Sequence, residues 1–159
     1  MSILNTNEDE TGEPTVAVHF GVTSLTKKLT DLSSQLGVPA SHSFQLGDEV
    51  VTRTGIHKRG RSVWQLRSAG NVDSSNLDDH LAWILNKIEP FRHTIQQYLD
   101  DPEVEVHIRI NCRCPDAIGG VSIQSATMQR LTMLSERIDI GFIGDALSGE
   151  NKGVRNLNN

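Results

Sequence analysis

From Val104 to Cys112 every second residue is aliphatic or a cysteine: Val104, Val106, Ile108, Ile110 and Cys112. The residues between them, Glu105, His107, Arg109 and Asn111, are charged or polar. A two-residue period of this kind predicts a strand with one buried face and one wet face. A sheet made of such strands is covered on one side only, which points to an antiparallel or mixed sheet rather than a doubly covered parallel one. The chain must then supply helices for the apolar side, the arrangement of an α+β domain.

The remaining pattern supplies those helices. Val16, Val18, Phe20 and Val22 alternate with Ala17, His19 and Gly21, a second half-buried strand. Leu25, Leu29, Leu32 and Leu36 follow at helical spacing, with Thr23 or Ser24 able to cap and Gly37 and Pro39 closing the far end. Residues 49–53 and 62–67 are short and β-rich, and the loop with Gly55 and Gly60 between them predicts a hairpin. A long stripe of Leu77, Leu81, Ile84, Ile88, Phe91, Ile95 and Tyr98 predicts a helix capped by Ser74, Ser75 or Asn76. Pro90 falls inside that stripe and should kink the helix or begin a second one, because it lacks an N–H and collides with the preceding turn. A strand over 121–124, a helix from Ser125 bearing Met128, Leu131 and Leu134, and a strand with Ile138, Ile140 and Phe142 complete the chain. The expected fold is a single mixed or antiparallel sheet with helices mainly on one face, in the order β-α-β-β-α-β-β-α-β. It should occupy residues 14–145, after a disordered acidic leader over 1–13 and before a flexible tail over 146–159.

Charge narrows the function classes. The net charge of -5 argues against a protein that seeks nucleic acid with its whole surface. No apolar run approaches the roughly 18 to 20 residues of a membrane span. The first residues are acidic and polar rather than basic and then apolar, so a cytoplasmic location is expected. Cys112 and Cys114 share a strand face, a poor geometry for a mutual disulfide, and no second pair offers a zinc site. Buried, reduced, structural thiols are the expectation.

Several short runs carry a family likeness when taken in order. They are Leu36-Gly37, Gly47-Asp48, Trp64-Gln65-Leu66-Arg67-Ser68, and Leu77 to Leu81 with His80 inside. A strand, a serine-opened helix and an acidic strand from Val121 to Ile140 close the pattern. Together they resemble a bacterial family of small cytosolic domains of unknown function, over roughly residues 15 to 143. Pro39 follows Gly37 one residue sooner than in the family pattern, so the loop before the hairpin should differ in shape. The resemblance implies a fold and an intracellular bacterial setting, and it transfers no catalytic residue. Some small proteins of such orphan families act as immunity partners of toxins, an analogy of kind.

Two groups of residues could carry function. Arg53, His57, Lys58, Arg59, Arg61 and Arg67 fall within fifteen residues of an otherwise mildly acidic chain. They could meet phosphates or the acidic side chains of a partner. The commoner role of such charges is a solvated turn that blocks edge-to-edge strand pairing. His19 and His107 lie on the polar sides of their strands, and with Glu105 and Arg109 they could line an open groove if those strands are neighbours. Ordinary surface histidines are the competing reading. No nucleophile and base, metal cluster or cofactor motif is recognisable. The expectation is therefore a non-catalytic module that binds another protein, in one version a toxin, through Arg53, Lys58, Arg59, Arg61, His19, His107 and Arg109. A small-ligand protein or enzyme using the polar sheet face is one alternative. A nucleic-acid-binding module using the basic hairpin is the other, weakened by the lack of stacking aromatics in that loop.

Overall fold

The computed structural model describes residues 15–114 and 121–144. The expected leader and tail lie outside the described residues. The fold is α+β as expected, a five-stranded mixed sheet with its helices to one side and a separate two-stranded ribbon.

The two strands with the strongest alternation form the middle of the sheet. β1 (Thr15–Ser24) pairs antiparallel with β6 (Val104–Cys114), setting Phe20 opposite Ile108 and Val18 opposite Ile110. On the other side of β1 lies β5 (Ser62–Arg67), also antiparallel, which brings Leu66 beside Phe20 and Trp64 beside Val22. A short strand β2 (His42–Phe44) forms one edge on β5. The other edge is β7 (Arg137–Gly144), parallel to β6. The order across the sheet is β2-β5-β1-β6-β7.

The helices collapse onto the aliphatic side. In α2 (Leu77–Ile88), Leu81, Ile84, Leu85 and Ile88 are buried with Phe20 and Ile108 in one cluster. Asn76 caps it by accepting the Asp78 amide at 3.0 Å. Pro90 sits in a 3₁₀ turn (Glu89–Phe91) from which α3 (Arg92–Leu99) departs, so it separates two helices as one of the two expected outcomes required. Leu131 of α4 (Ser125–Thr132) and Leu134 after it complete the core. Cys112 is buried among these residues, as expected. Trp64 is buried too, edge-on to Phe20 and donating its indole N–H to Ser33 at 2.8 Å. Among the described residues no helix is long and apolar enough to cross a membrane.

Three local expectations fail, each for a visible reason. The leucine stripe from Leu25 to Leu36 yields only a short helix, α1 (Leu32–Leu36), and Leu25 is 72% exposed. Ser24 does accept the amides of Thr26 and Lys27, but its own hydroxyl is tied to the Glu103 carbonyl. The amide of Leu29 then donates to Gln45 at 2.6 Å, so the backbone bonds a helix would need go elsewhere. At the far end the expectation holds: Gly37 adopts φ 59° and Val38 bonds back to Ser33.

The expected hairpin is a different one. Residues 49–52 do not pair with 62–67; β3 (Glu49–Thr52) pairs with β4 (Gly55–Lys58) as a two-stranded ribbon, and β5 belongs to the main sheet. The tight turn at Arg53 and Thr54 closes the ribbon, with Gly55 at φ 131°. Residues 121–124 form no strand; Val121 and Ile123 instead pack against the core on the way into α4.

Candidate functional site

The face of the sheet away from the helices carries the charged residues and histidines of its strands. Strand register arranges them in rows. Arg67, His19, Arg109 and Asp139 stand side by side across β5, β1, β6 and β7. Gln65, Gly21, His107 and Arg137 form the next row, extended by His42 on β2. β1 and β6 are thus neighbours, and His19 and His107 come together on one face as sequence reasoning required. A groove of about 900 Å³ is lined by His42, Gln65, His107 and Arg137 of the second row and by Arg67 and Arg109 of the first, while His19 stands between those two arginines outside the lining.

Gly21 makes room for His107. A Cβ at this position would lie 2.5 Å from Nε2 of His107, so the imidazole rests where a side chain would otherwise stand. This sinks His107 into the sheet, 6% exposed, although it belongs to the polar face. Burial pushes its pKa below the usual histidine value, with Arg137 and Arg109 adding to the effect and Glu105 opposing it. Its Nδ1 is buried and has no hydrogen bond; Oε1 of Glu105 lies 3.5 Å away and is held by Arg137 at 2.9 Å. His19 is half-buried between two arginines. Burial first, then Arg67, Arg109 and His107, lower its pKa to about 4, so it is neutral at pH 7.

The groove's charges divide unequally between committed and uncommitted. Three of its four carboxylates are ion-paired. Asp101 and Glu103 hold Lys27 at 2.6 and 3.0 Å, Glu105 holds Arg137, and Glu136 accepts the amide of Val106 at 3.2 Å. The arginines other than Arg137 are not so engaged. Arg61 has no ion pair among the described residues, and Arg67 donates to the neutral amide oxygen of Gln65 at 2.9 and 3.3 Å. Arg109 reaches Asp139 only at 3.8 Å, and that same oxygen is held by Arg137 at 3.0 Å. The lining sets four arginines, Arg61, Arg67, Arg109 and Arg137, against four carboxylates, Asp101, Glu103, Glu105 and Glu136, so the excess of positive charge is local to the row of Arg67 and Arg109 and is not a property of the groove as a whole.

The basic segment does not act as one patch. Arg53 stands at the ribbon tip, and Lys58 is exposed along β4 opposite Glu49. Arg59 folds back over the ring of Phe44, 4.3 Å from its centroid, which places a cation on the nearest aromatic and covers it against stacking. Arg61 alone of the hairpin candidates lines the groove, where Arg67 joins it from the end of β5. Sequence reasoning missed Gly21, Arg137 and Asp139. A small residue opposite the one histidine on a strand of otherwise large side chains is the signal that could have marked Gly21. Among the described residues no group of three or more His, Cys, Asp or Glu could hold a metal ion.

Fold and groove together define an α+β domain whose five-stranded sheet has one uncovered, charged face. Residues 13–142 match the family model described as Domain of unknown function (DUF4279), and the chain belongs to that family. No curated protein and no solved structure matches it.

Proposed function

We propose that the chain is a non-catalytic recognition module whose open sheet face takes an acidic segment of another protein. The observation that supports this is how the groove's charges are paired: Asp101, Glu103 and Glu105 are in ion pairs, whereas among the described residues Arg61, Arg67 and Arg109 have no anionic partner closer than 3.8 Å. Arginine is suited to the task because its planar fork matches a carboxylate and it is weakly hydrated. An immunity role, in which the bound protein is a toxin, is the specific case suggested by analogy with other orphan families. The test is affinity capture from native extract with the wild type and with an Arg67→Glu/Arg109→Glu variant of equal stability. A protein retained by the wild type at low salt and released by the variant supports the reading. Identical recovery by both proteins contradicts it.

The groove's volume, about 900 Å³, also lies within the range of small-molecule sites, which favours a second reading as a sensor of a small acidic ligand. Such a ligand would raise the thermal midpoint of the wild type, and the gain would vanish in a His19→Ala/His107→Ala variant.

A further inference from the structure

Recognition of an acidic segment requires a place where one carboxylate is gripped, and the row of Arg67, His19 and Arg109 has the form of such a place. Arg67 and Arg109 are both registered against His19, one from each neighbouring strand. Their backbones are therefore two strand spacings apart, about 10 Å. Two cations flanking a third basic side chain on one sheet face is an arrangement that cross-strand pairing disfavours unless something negative joins it.

Among the described residues nothing fills that role closely. Arg67 is braced by Gln65, a neutral group two residues earlier on its own strand. Arg109 leans toward Asp139 at 3.8 Å, and the stronger hold on that carboxylate belongs to Arg137. Arg109 can thus leave Asp139 without stranding it. Between them His19 is held neutral, so it adds no third positive charge and presents a ring that can donate to an oxyanion.

Resting on the recognition reading above, we propose that Arg67 and Arg109, closing from both sides of His19, form the seat for an aspartate or glutamate carboxylate of the bound protein. Each guanidinium contributes charge-assisted N–H donors, and His19 contributes a neutral one beneath them. The groups facing His19 are Arg67 from β5 and Arg109 and His107 from β6, with Asp139 of β7 beyond Arg109.

The seat is testable without the partner, using formate as the carboxylate probe and chloride as the reference salt at constant ionic strength. Nitrogen-15 spectra of the intact protein at pH 7 follow the arginine Nε–H signals, and a pH titration follows His19. Formate, and not chloride, should shift the Nε–H signals of Arg67 and Arg109. It should also raise the His19 midpoint above about 4, by cancelling part of the positive field. In Arg67→Gln and Arg109→Gln variants the formate-specific response should fall at least about tenfold, the loss of one charge-assisted grip worth some 1.4 kcal/mol or more. A third arm with inorganic phosphate separates the two oxyanions. Equal responses to formate and chloride overturn the seat, as does a response that survives in both variants. A response to phosphate without one to formate overturns the carboxylate assignment. Failure of affinity capture leaves these signals unaffected, so the two proposals fail separately.

Discussion

Nδ1 of His80 lies 2.7 Å from Oγ of Ser68, and the same oxygen accepts the amide of Val18 at 2.8 Å. Nε2 of His80 faces the Ser74 carbonyl, also at 2.7 Å, so in the neutral ring it carries the proton and Nδ1 accepts from the serine. A serine hydrogen-bonded to a histidine superficially suggests a nucleophile and its base. Here both are buried, Ser68 fully, and every bond they can make is spent joining β1, the end of β5 and the start of α2. The pair is a structural tie.

Ser68→Ala leaves the Val18 amide and the His80 ring nitrogen buried without partners. Each such group costs about 1–3 kcal/mol. A drop in the urea midpoint of corresponding size, with the native fold retained by circular dichroism, is the expected outcome. Binding of formate at the open face should be unchanged, since Ser68 lies on the opposite side of the sheet from that seat.

Gly21 and His107 should be energetically coupled. Gly21→Ala drives a Cβ to within 2.5 Å of the imidazole, and overpacking of this kind costs about 1–3 kcal/mol. Pairing it with His107→Ala removes the obstacle. The double variant should be more stable than the sum of the two single losses predicts, which a double-mutant cycle by denaturant unfolding will measure.

His19 makes stability depend on pH with a definite sign. The unfolded chain takes up its proton near 6.5 and the folded chain only near 4. Between those values the unfolded state binds more protons, so this group's contribution is intact above about 6.5 and is lost as pH falls toward 4. His107 titrates in the same direction. A His19→Gln variant should lose less stability than the wild type between pH 7 and 4, as read from urea midpoints across that range.

Leu25 and Leu32 should respond differently to truncation, although the sequence places them on one helical stripe. Leu32 is fully buried and Leu25 is 72% exposed. Leu32→Ala should cost about 2–5 kcal/mol. Leu25→Ala should stay within about 0.5 kcal/mol, the usual range for surface changes.

The contrast between those leucines shows what sequence can and cannot convey here. Alternation in β1 and β6 is dictated by which face meets the core, so the sheet, its wet side and the pairing of His19 with His107 on one face were legible. The start of α1 was not: Ser24 accepts the amides of Thr26 and Lys27 as a cap would, but the amide of Leu29, which a helix would return to Leu25, is claimed by Gln45, a residue sixteen positions away. β5 was assigned the wrong neighbour for a similar reason. Its pairing with β1 is set by burial of Trp64 and Leu66 against Phe20, whereas the nearby turn at Arg53 and Thr54 belongs to a ribbon of its own. Arg61, Arg67 and Arg109 could be named in advance, but Arg137 was missed and the freedom of the other three was not legible, since it depends on which carboxylates other elements bring to Arg137 and Lys27.

That freedom is the claim on which the functional reading stands, and arginine-selective modification measures it directly. The four arginines Arg61, Arg109, Arg130 and Arg137 are all exposed, yet Arg130 is locked to Glu89 by two bonds of 2.6 Å and Arg137 is held by Glu105 and Asp139. Treated with a dicarbonyl reagent and followed by mass spectrometry, Arg61 and Arg109 should be modified several-fold faster than Arg130 and Arg137. Rates for Arg61 and Arg109 no faster than those of the two paired arginines would contradict the account.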